Sequence, residues 1–294
     1  MYCATFSIVA FDSETNSWGV AVASKFLAVG AYVPYARAEA GAIATQAQVN
    51  INYGARGLAR LRDGMSAHDA LHDIIMGDRS SENRQVGIVD RVGGSASHTG
   101  HHCLPWAGGV TGQGFAIQGN ILSGPHVIAA MYDAFITGSS SFAKRLLTSL
   151  AAGDLAGGDR RGKQSAAILI VKAGAGYGGD NDRWLDLRVD DSEHPIPKLA
   201  QLVTLHDLYF GKSTANDKLP LSGSVLTELQ KLLQTLGYVL HAPSNTYDAE
   251  TAQAPRAFTG TENLEERIDL EGALIDKPAL EYLRSKFSIP PTLA

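Results

Sequence analysis

The sequence predicts an α+β protein: two facing β-sheets with helices on their outer faces, a four-layer αββα sandwich, followed by a small, mainly helical C-terminal unit. Three observations lead there. Strand-like and helix-like blocks follow the order strands, two helices, strands, two helices, strands. The strands are joined largely by short polar turns, so they enter their sheets as hairpins rather than as βαβ crossovers. Strands such as 166–171 (Ala-Ala-Ile-Leu-Ile-Val) are apolar on both faces, as expected of a sheet covered on both sides. An ordinary two-layer α+β domain is the competing architecture at this level.

Each element has its own signal. Thr5 to Phe11 and Trp18 to Lys25 read as strands around the polar turn Asp12 to Ser17, and Gly41 to Gln46 as a third strand of small residues. Tyr53 to Arg62 places Leu58 and Leu61 on one helical face, and Gly64 breaks it. Ser66, with Asp69 three residues on, caps a second helix running through Met76. Gln85 to Asp90 and Ser95 to Thr99 form a hairpin around Gly93-Gly94. Phe115 to Gly119 is a strand, Pro125 opens a helix to about Phe135, and Phe142 to Ala152 is the next helix. Ser165 to Val171 and Trp184 to Val189 are the last strands of this region, with the glycine-rich Gly174 to Gly179 as the turn between them.

Bulk properties exclude several classes. With 294 residues and 45% hydrophobic content the chain can build one large domain and a smaller one, with boundaries expected at 1–212 and 220–294. A net charge of −5 argues against a nucleic-acid partner. The acidity is concentrated late, since residues 216–294 carry 7 Lys+Arg against 11 Asp+Glu. No segment approaches the ~20 apolar residues of a membrane span. Cys3 and Cys103 read as reduced thiols, and the N-terminal residues lack the pattern of a secretory signal, so a cytoplasmic location is expected. His98, His101, His102 and Cys103 crowd one segment, but adjacent side chains of an extended segment point apart, so no metal site is expected. Gly174 to Gly179 lacks a following lysine and makes a poor phosphate loop; no cofactor is expected.

The most informative segment is 157–165, a glycine-rich corner that crowds Asp159, Arg160, Arg161 and Lys163 at the mouth of an apolar strand. Fixed charges cost several kcal/mol to desolvate unless paired, so this is either a solvated turn or a built polar site. Gln118-Gly119-Asn120 leads towards the Pro125 helix, where backbone N–H groups and an amide can hold an oxyanion or a carboxylate.

Several separate blocks in the right order resemble the domain of unknown function 1028 family: Thr5 to Ala10, Gly19 to Lys25, Ala44-Thr45-Gln46, Gln118-Gly119-Asn120, the Asp159 to Ser165 corner, and Asp186 to Asp191. The resemblance spans roughly residues 4 to 210. That family resembles the N-terminal-nucleophile (Ntn) hydrolases, so the resemblance implies the αββα sandwich and, further, hydrolysis of an amide bond. It places Thr5 at the nucleophile position, which requires cleavage between Ala4 and Thr5, since Tyr2 should keep Met1 in place. It implies Lys25 as the charge that tunes the site, Asn120 on the oxyanion side, and Asp159 with Ser165 as supports. Ser24, Thr45, Gln46, Gln118, Gly119, Arg160 and Arg161 are the implied substrate-binding residues. A non-catalytic protein that binds a small ligand in the same polar pocket is the rival reading.

In the tail, Phe210 to Leu219 reads as a polar linker. Val225, Leu226, Leu229, Leu232, Leu233 and Leu236 keep helical spacing up to Gly237, and Asp276-Lys277-Pro278 opens a last helix with Leu280, Leu283 and Phe287. This pattern, with Tyr247-Asp248 and Glu262 to Arg267, resembles a peptidoglycan-binding domain carried by some members of the same family. The resemblance implies a muropeptide or other small-molecule ligand; packing on the first domain or as a homodimer is the alternative use of its apolar faces.

Overall fold

The structure, a computed structural model, describes residues 5–238, 247 and 253–287. Expectations about Met1 to Ala4, Cys3 included, and about Asp248 fall outside these residues. The fold is mixed α and β, and the chain divides into two compact units, Met1–Val203 and Thr204–Ala294.

The first unit is built on two antiparallel sheets. The larger holds β1 (Thr5–Asp12), β2 (Ser17–Ser24), β7 (Gly108–Gly112), β8 (Phe115–Gly119), β9 (Ser165–Val171) and β10 (Arg183–Val189), in the order β10-β9-β2-β1-β8-β7. The smaller holds β3 (Pro34–Arg37), β4 (Gly41–Ala47), β5 (Arg84–Asp90) and β6 (Ser95–Thr99), in that order. Helices α1 (Asn52–Arg62) and α2 (Ala67–Met76) follow β4, and α3 (His126–Thr137) and α4 (Phe142–Leu155) follow β8. The expected cap of α2 is present: the Ser66 hydroxyl accepts from the Asp69 N–H at 3.1 Å. Strands β3 and β7 carry little apolar alternation, and sequence reading passed them by.

The side-chain period of two along each strand separates three packed clusters. Phe6, Ile8 and Ala10 of β1 pack with Ile168 and Ile170 of β9 against Met131 of α3 and Leu146 and Leu150 of α4. Their neighbours Val9, Val20, Val22, Ala167 and Leu169 face Ala42, Ala44 and Val89 of the other sheet. Ile43, Val86 and Ile88 turn the opposite way and pack with Tyr53 and Leu61 of α1 and Leu71 and Ile74 of α2. Each central strand is thus buried on both faces, which is why β1, β2, β4 and β9 are almost entirely buried.

Helix α5 (Pro195–Phe210) contributes Ile196, Leu199 and Val203 to the first cluster, and the boundary between the two units falls within it. The second unit contains α6 (Gly223–Thr235), α7 (Gln253–Glu262) and α8 (Lys277–Phe287). It also has a small antiparallel sheet of β11 (Lys218–Pro220), β12 (Ile268–Asp269) and β13 (Leu274–Asp276), in the order β11-β13-β12. Its core gathers Leu229, Leu232 and Leu233, Phe258, Leu264, Ile275, Leu280 and Leu283. Segment 210–219, read from composition as a linker, carries the end of α5, a 3-10 turn capped by Thr214 and Asp217, and the start of β11. Thr214 and Asp217 cap that turn, while Lys212, Asn216 and Lys218 are exposed.

Candidate functional site

Strand register aligns the end of the larger sheet. Ser165 of β9 lies opposite Ser24 of β2, and Ser24 lies opposite Thr5 of β1. All three occupy positions on the face turned towards the smaller sheet, and all three are buried. The Thr5 hydroxyl donates to the Ser24 oxygen at 3.4 Å. On the other side of Thr5, the Asn120 N–H donates to the Thr5 carbonyl at 3.0 Å, and Gln46 Nε2 reaches the same oxygen at 3.3 Å. The backbone of Thr5 is therefore gripped from both sheets.

Below this row two cross-strand pairs meet between the sheets. Ser7 is opposite Gln118 in the larger sheet, and Gln46 is opposite Gln85 in the smaller. Gln118 Nε2 donates to Ser7 Oγ at 2.7 Å, Ser7 Oγ to Gln46 Oε1 at 2.7 Å, and Gln46 Nε2 to Gln85 Oε1 at 2.8 Å. Asn120 Nδ2 donates to the same Gln85 oxygen at 2.9 Å, and Gln85 Nε2 donates to the Gly119 carbonyl at 2.8 Å. Buried amides cost free energy unless they are hydrogen-bonded, and the bonds of this network fix both rotamers and the spacing of the two sheets. Gln118 Oε1 is the buried atom of this network without a partner. Gly87 makes room for it, since a Cβ there would sit 2.1 Å from Gln118 Oε1. Ser7 and Gln85 escaped sequence reading, although a lone polar residue at an inward position of an apolar strand was the available signal.

The charged corner is a built feature. The Asp159 side chain is 1% exposed and paired with Arg161, whose Nη2 lies 2.8 Å from Oδ2 and Nε 3.1 Å from Oδ1. The same carboxylate accepts the Lys25 N–H at 2.9 Å and the Arg161 N–H at 3.0 Å. Arg161 also reaches the Lys25 carbonyl, and the Arg160 N–H bonds the Ile121 carbonyl at 3.1 Å. Asp159 thus ties the chain leaving β2 to the chain leaving β8, one on each side of Thr5. Ser165 supports the same end of the sheet by donating to the Phe26 carbonyl and accepting the Val29 N–H.

Other expected site residues are placed differently. Lys25 is exposed, and its ammonium bonds the Lys163 carbonyl at 3.3 Å, away from the inward row. It has left the alternation of β2, which ends at Ser24. Thr45 shares the face of Ile43 that packs on α1, and its hydroxyl donates to the Asn50 carbonyl, so the period of two separates it from Gln46 and from Thr5. Gly119 contributes its carbonyl alone. Arg160 is exposed. Cys103 is buried and burial pushes its thiol pKa up, which leaves it a poor nucleophile. Among the described residues no group of three or more His, Cys, Asp or Glu side chains is placed to hold a metal ion, and no helix is long and apolar enough to cross a membrane.

Comparison with known proteins identifies the family. The model of a family of unknown function (DUF1028) matches residues 5–199, from the first residue of β1 into α5. The chain belongs to this family. A DUF1028 protein of known crystal structure, from Silicibacter pomeroyi, is 33% identical, superposes with a TM-score of 0.63, and aligns over 69% of this chain and 89% of its own. Residues 209–283 match a second model, described as "Putative peptidoglycan binding domain". No curated protein matches the chain in sequence.

Proposed function

We propose that the first unit of this DUF1028 protein is an αββα sandwich of the Ntn type that hydrolyses an amide bond in a small or peptidoglycan-derived substrate, with Thr5 as nucleophile once it is N-terminal. The observation that carries this reading is the grip on Thr5: its hydroxyl stands in a row with Ser24 and Ser165 while Asn120 and Gln46 hold its carbonyl. Catalysis by positioning requires a nucleophile held in one geometry, and the two contacts on the Thr5 carbonyl hold its backbone in place. The match of residues 209–283 to a peptidoglycan-binding family supports the substrate class.

In the sequence Thr5 follows Ala4, so its nitrogen is an amide without basicity, and Thr5 is fully buried. Hydrolysis of the Ala4–Thr5 bond would free an α-amine with an ordinary pKa of about 7.7–8.0. That amine takes the proton of Thr5 Oγ1 as the oxygen attacks the substrate carbonyl. The protonated amine then passes the proton to the leaving nitrogen as the C–N bond breaks. Water cleaves the resulting ester, releasing the acid and restoring Thr5. Asp159 and Ser165 serve as positioning residues, and the exposed cations Lys25 and Arg160 favour a substrate that carries a carboxylate. Asn120 acts through its backbone N–H on the Thr5 carbonyl, since its side chain is engaged by Gln85.

The test is a chain that starts at Thr5, released from a cleavable leader and offered muropeptides with detection of hydrolysed amides by mass spectrometry. Hydrolysis that falls below about pH 7.5 as the amine protonates, and that is lost in Thr5→Ala, is the expected result. A folded Thr5-terminated chain without hydrolysis overturns the proposal. Full burial of Thr5 and the outward course of Lys25 favour a second reading, a non-catalytic protein that binds the same ligands; binding by the full chain with no turnover in any form supports it.

A further inference from the structure

The second unit contains a cavity of about 630 Å³, lined by residues of α7, β11, β12 and the turn before β13. Its floor is closed by a neutral pair: the Arg267 guanidinium lies 3.1 Å from Asp276, with the two side chains only 4% and 5% exposed. Arg267 also donates to the Leu208 and Asp207 carbonyls and to Ser213. This arginine is therefore committed to holding the unit together. Around it the wall carries charges of both signs. Among the described residues, Lys218 and Arg256 are exposed cations with no carboxylate partner, and Glu265, Glu266 and Glu271 are exposed carboxylates with no cationic partner. Opposite charges lining one small cavity without neutralising one another leave a site for a ligand that supplies both counter-charges.

A second, independent observation points inward. Thr259, only 3% exposed, lines the cavity, and its buried hydroxyl has no hydrogen-bond partner among the described residues. A buried hydroxyl left unpaired is costly, so a threonine at this position calls for a polar atom from outside the chain. Gly260, next to it, leaves the wall open, and a Cβ there would lie 3.7 Å from Glu265 Oε1, so the Glu265 carboxylate stands over the same part of the cavity.

We infer that this cavity binds an unblocked amino-acid end, an ammonium and a carboxylate on one carbon or one short chain. Glu265 with Glu266 or Glu271 takes the ammonium, Arg256 with Lys218 takes the carboxylate, and the Thr259 hydroxyl completes a polar contact. The inference deepens the reading of residues 209–283 as a ligand-binding element and does not depend on Thr5.

Calorimetric titration of the full chain tests it without any turnover. Free lysine is the probe, with diacetyl-lysine, which lacks both ammonium groups, and lysine amide, which lacks the carboxylate, as controls. Lysine should bind, and each blocked form should bind at least about tenfold more weakly. Glu265→Gln and Arg256→Gln, both surface changes, should each weaken lysine at least about tenfold, and Thr259→Val should weaken it as well. Absence of lysine binding, equal binding of either blocked form, or unchanged binding in both charge variants overturns the inference. Equal binding of lysine amide would mark a plain cation site. Hydrolysis by a Thr5-terminated chain that does not bind lysine would dismiss this cavity and leave the first unit's chemistry standing.

Discussion

Replacing Asp159 by alanine should destabilise the first unit by about 3 kcal/mol. The carboxylate is 1% exposed and accepts four hydrogen bonds, from the Lys25 and Arg161 N–H groups and from two guanidinium nitrogens of Arg161. The two backbone donors face a covered position, and stranding a buried donor costs roughly 1–3 kcal/mol. The guanidinium adds less than a fully buried pair would, because Arg161 is 35% exposed and rehydrates when its partner is removed. For a unit of this size, about 3 kcal/mol corresponds to a fall in Tm of roughly 6–12 °C. Tryptophan fluorescence reads the transition selectively, since all three tryptophans, Trp18, Trp106 and Trp184, lie in the first unit. Asp159→Asn, which keeps an acceptor oxygen for the backbone donors, should lose about half as much. An Asp159→Ala chain that melts within about a degree of wild type would show that water replaces the carboxylate freely and that the corner is an ordinary solvated turn.

Gly87→Ala should destabilise by about 3 kcal/mol, because the new methyl displaces the buried Gln118 amide from Ser7. Adding Gln118→Ala should recover part of that loss in a double-mutant cycle, and simple additivity would refute the contact. Burial alone would raise the Asp78 pKa, but hydrogen bonds from the Ser80 N–H, Arg84, Asn50 and Tyr53 outweigh it and hold the group at about 2, below its ordinary 3.8. Its contribution to stability is therefore complete above about pH 4 and is lost as pH falls towards 2. Acid titration of urea midpoints should show that slope flattened in Asp78→Asn. A fragment of residues 1–214, which keeps α5 whole, should be soluble and melt cooperatively; aggregation would show that the first unit needs the second to cover its apolar surface.

Much of the fold was legible because local signals and tertiary packing agree. The hairpin of β1 and β2, the Ser66 cap, the start of α3 after Pro125 and the helical leucines of α6 are written in spacings of two and 3.6 and in turn residues, which act over a few positions. The doubly covered strands were legible too, since a strand buried on both faces has no polar side to show. Strands β3 and β7, helix α5 and the three short strands of the second unit were not, because their residues gain their structure from partners distant in the chain.

The candidate site divides in the same way. By itself the sequence determined that Thr5, Ser24, Gln46, Gln118, Asn120, Asp159 and Ser165 are polar groups at the ends of, or inside, apolar strands, where burial forces each to find a partner. Only the tertiary structure decided which partners. Register placed Ser24 between Thr5 and Ser165, and the meeting of two sheets joined Ser7 and Gln118 to Gln46 and Gln85. The end of β2 at Ser24 turned Lys25 outward, and the alternation of β4 set Thr45 against α1 while Gln46 reached Thr5. A strand's pattern states which face a side chain takes, but the face across from it belongs to another part of the chain, and no local spacing encodes that distance.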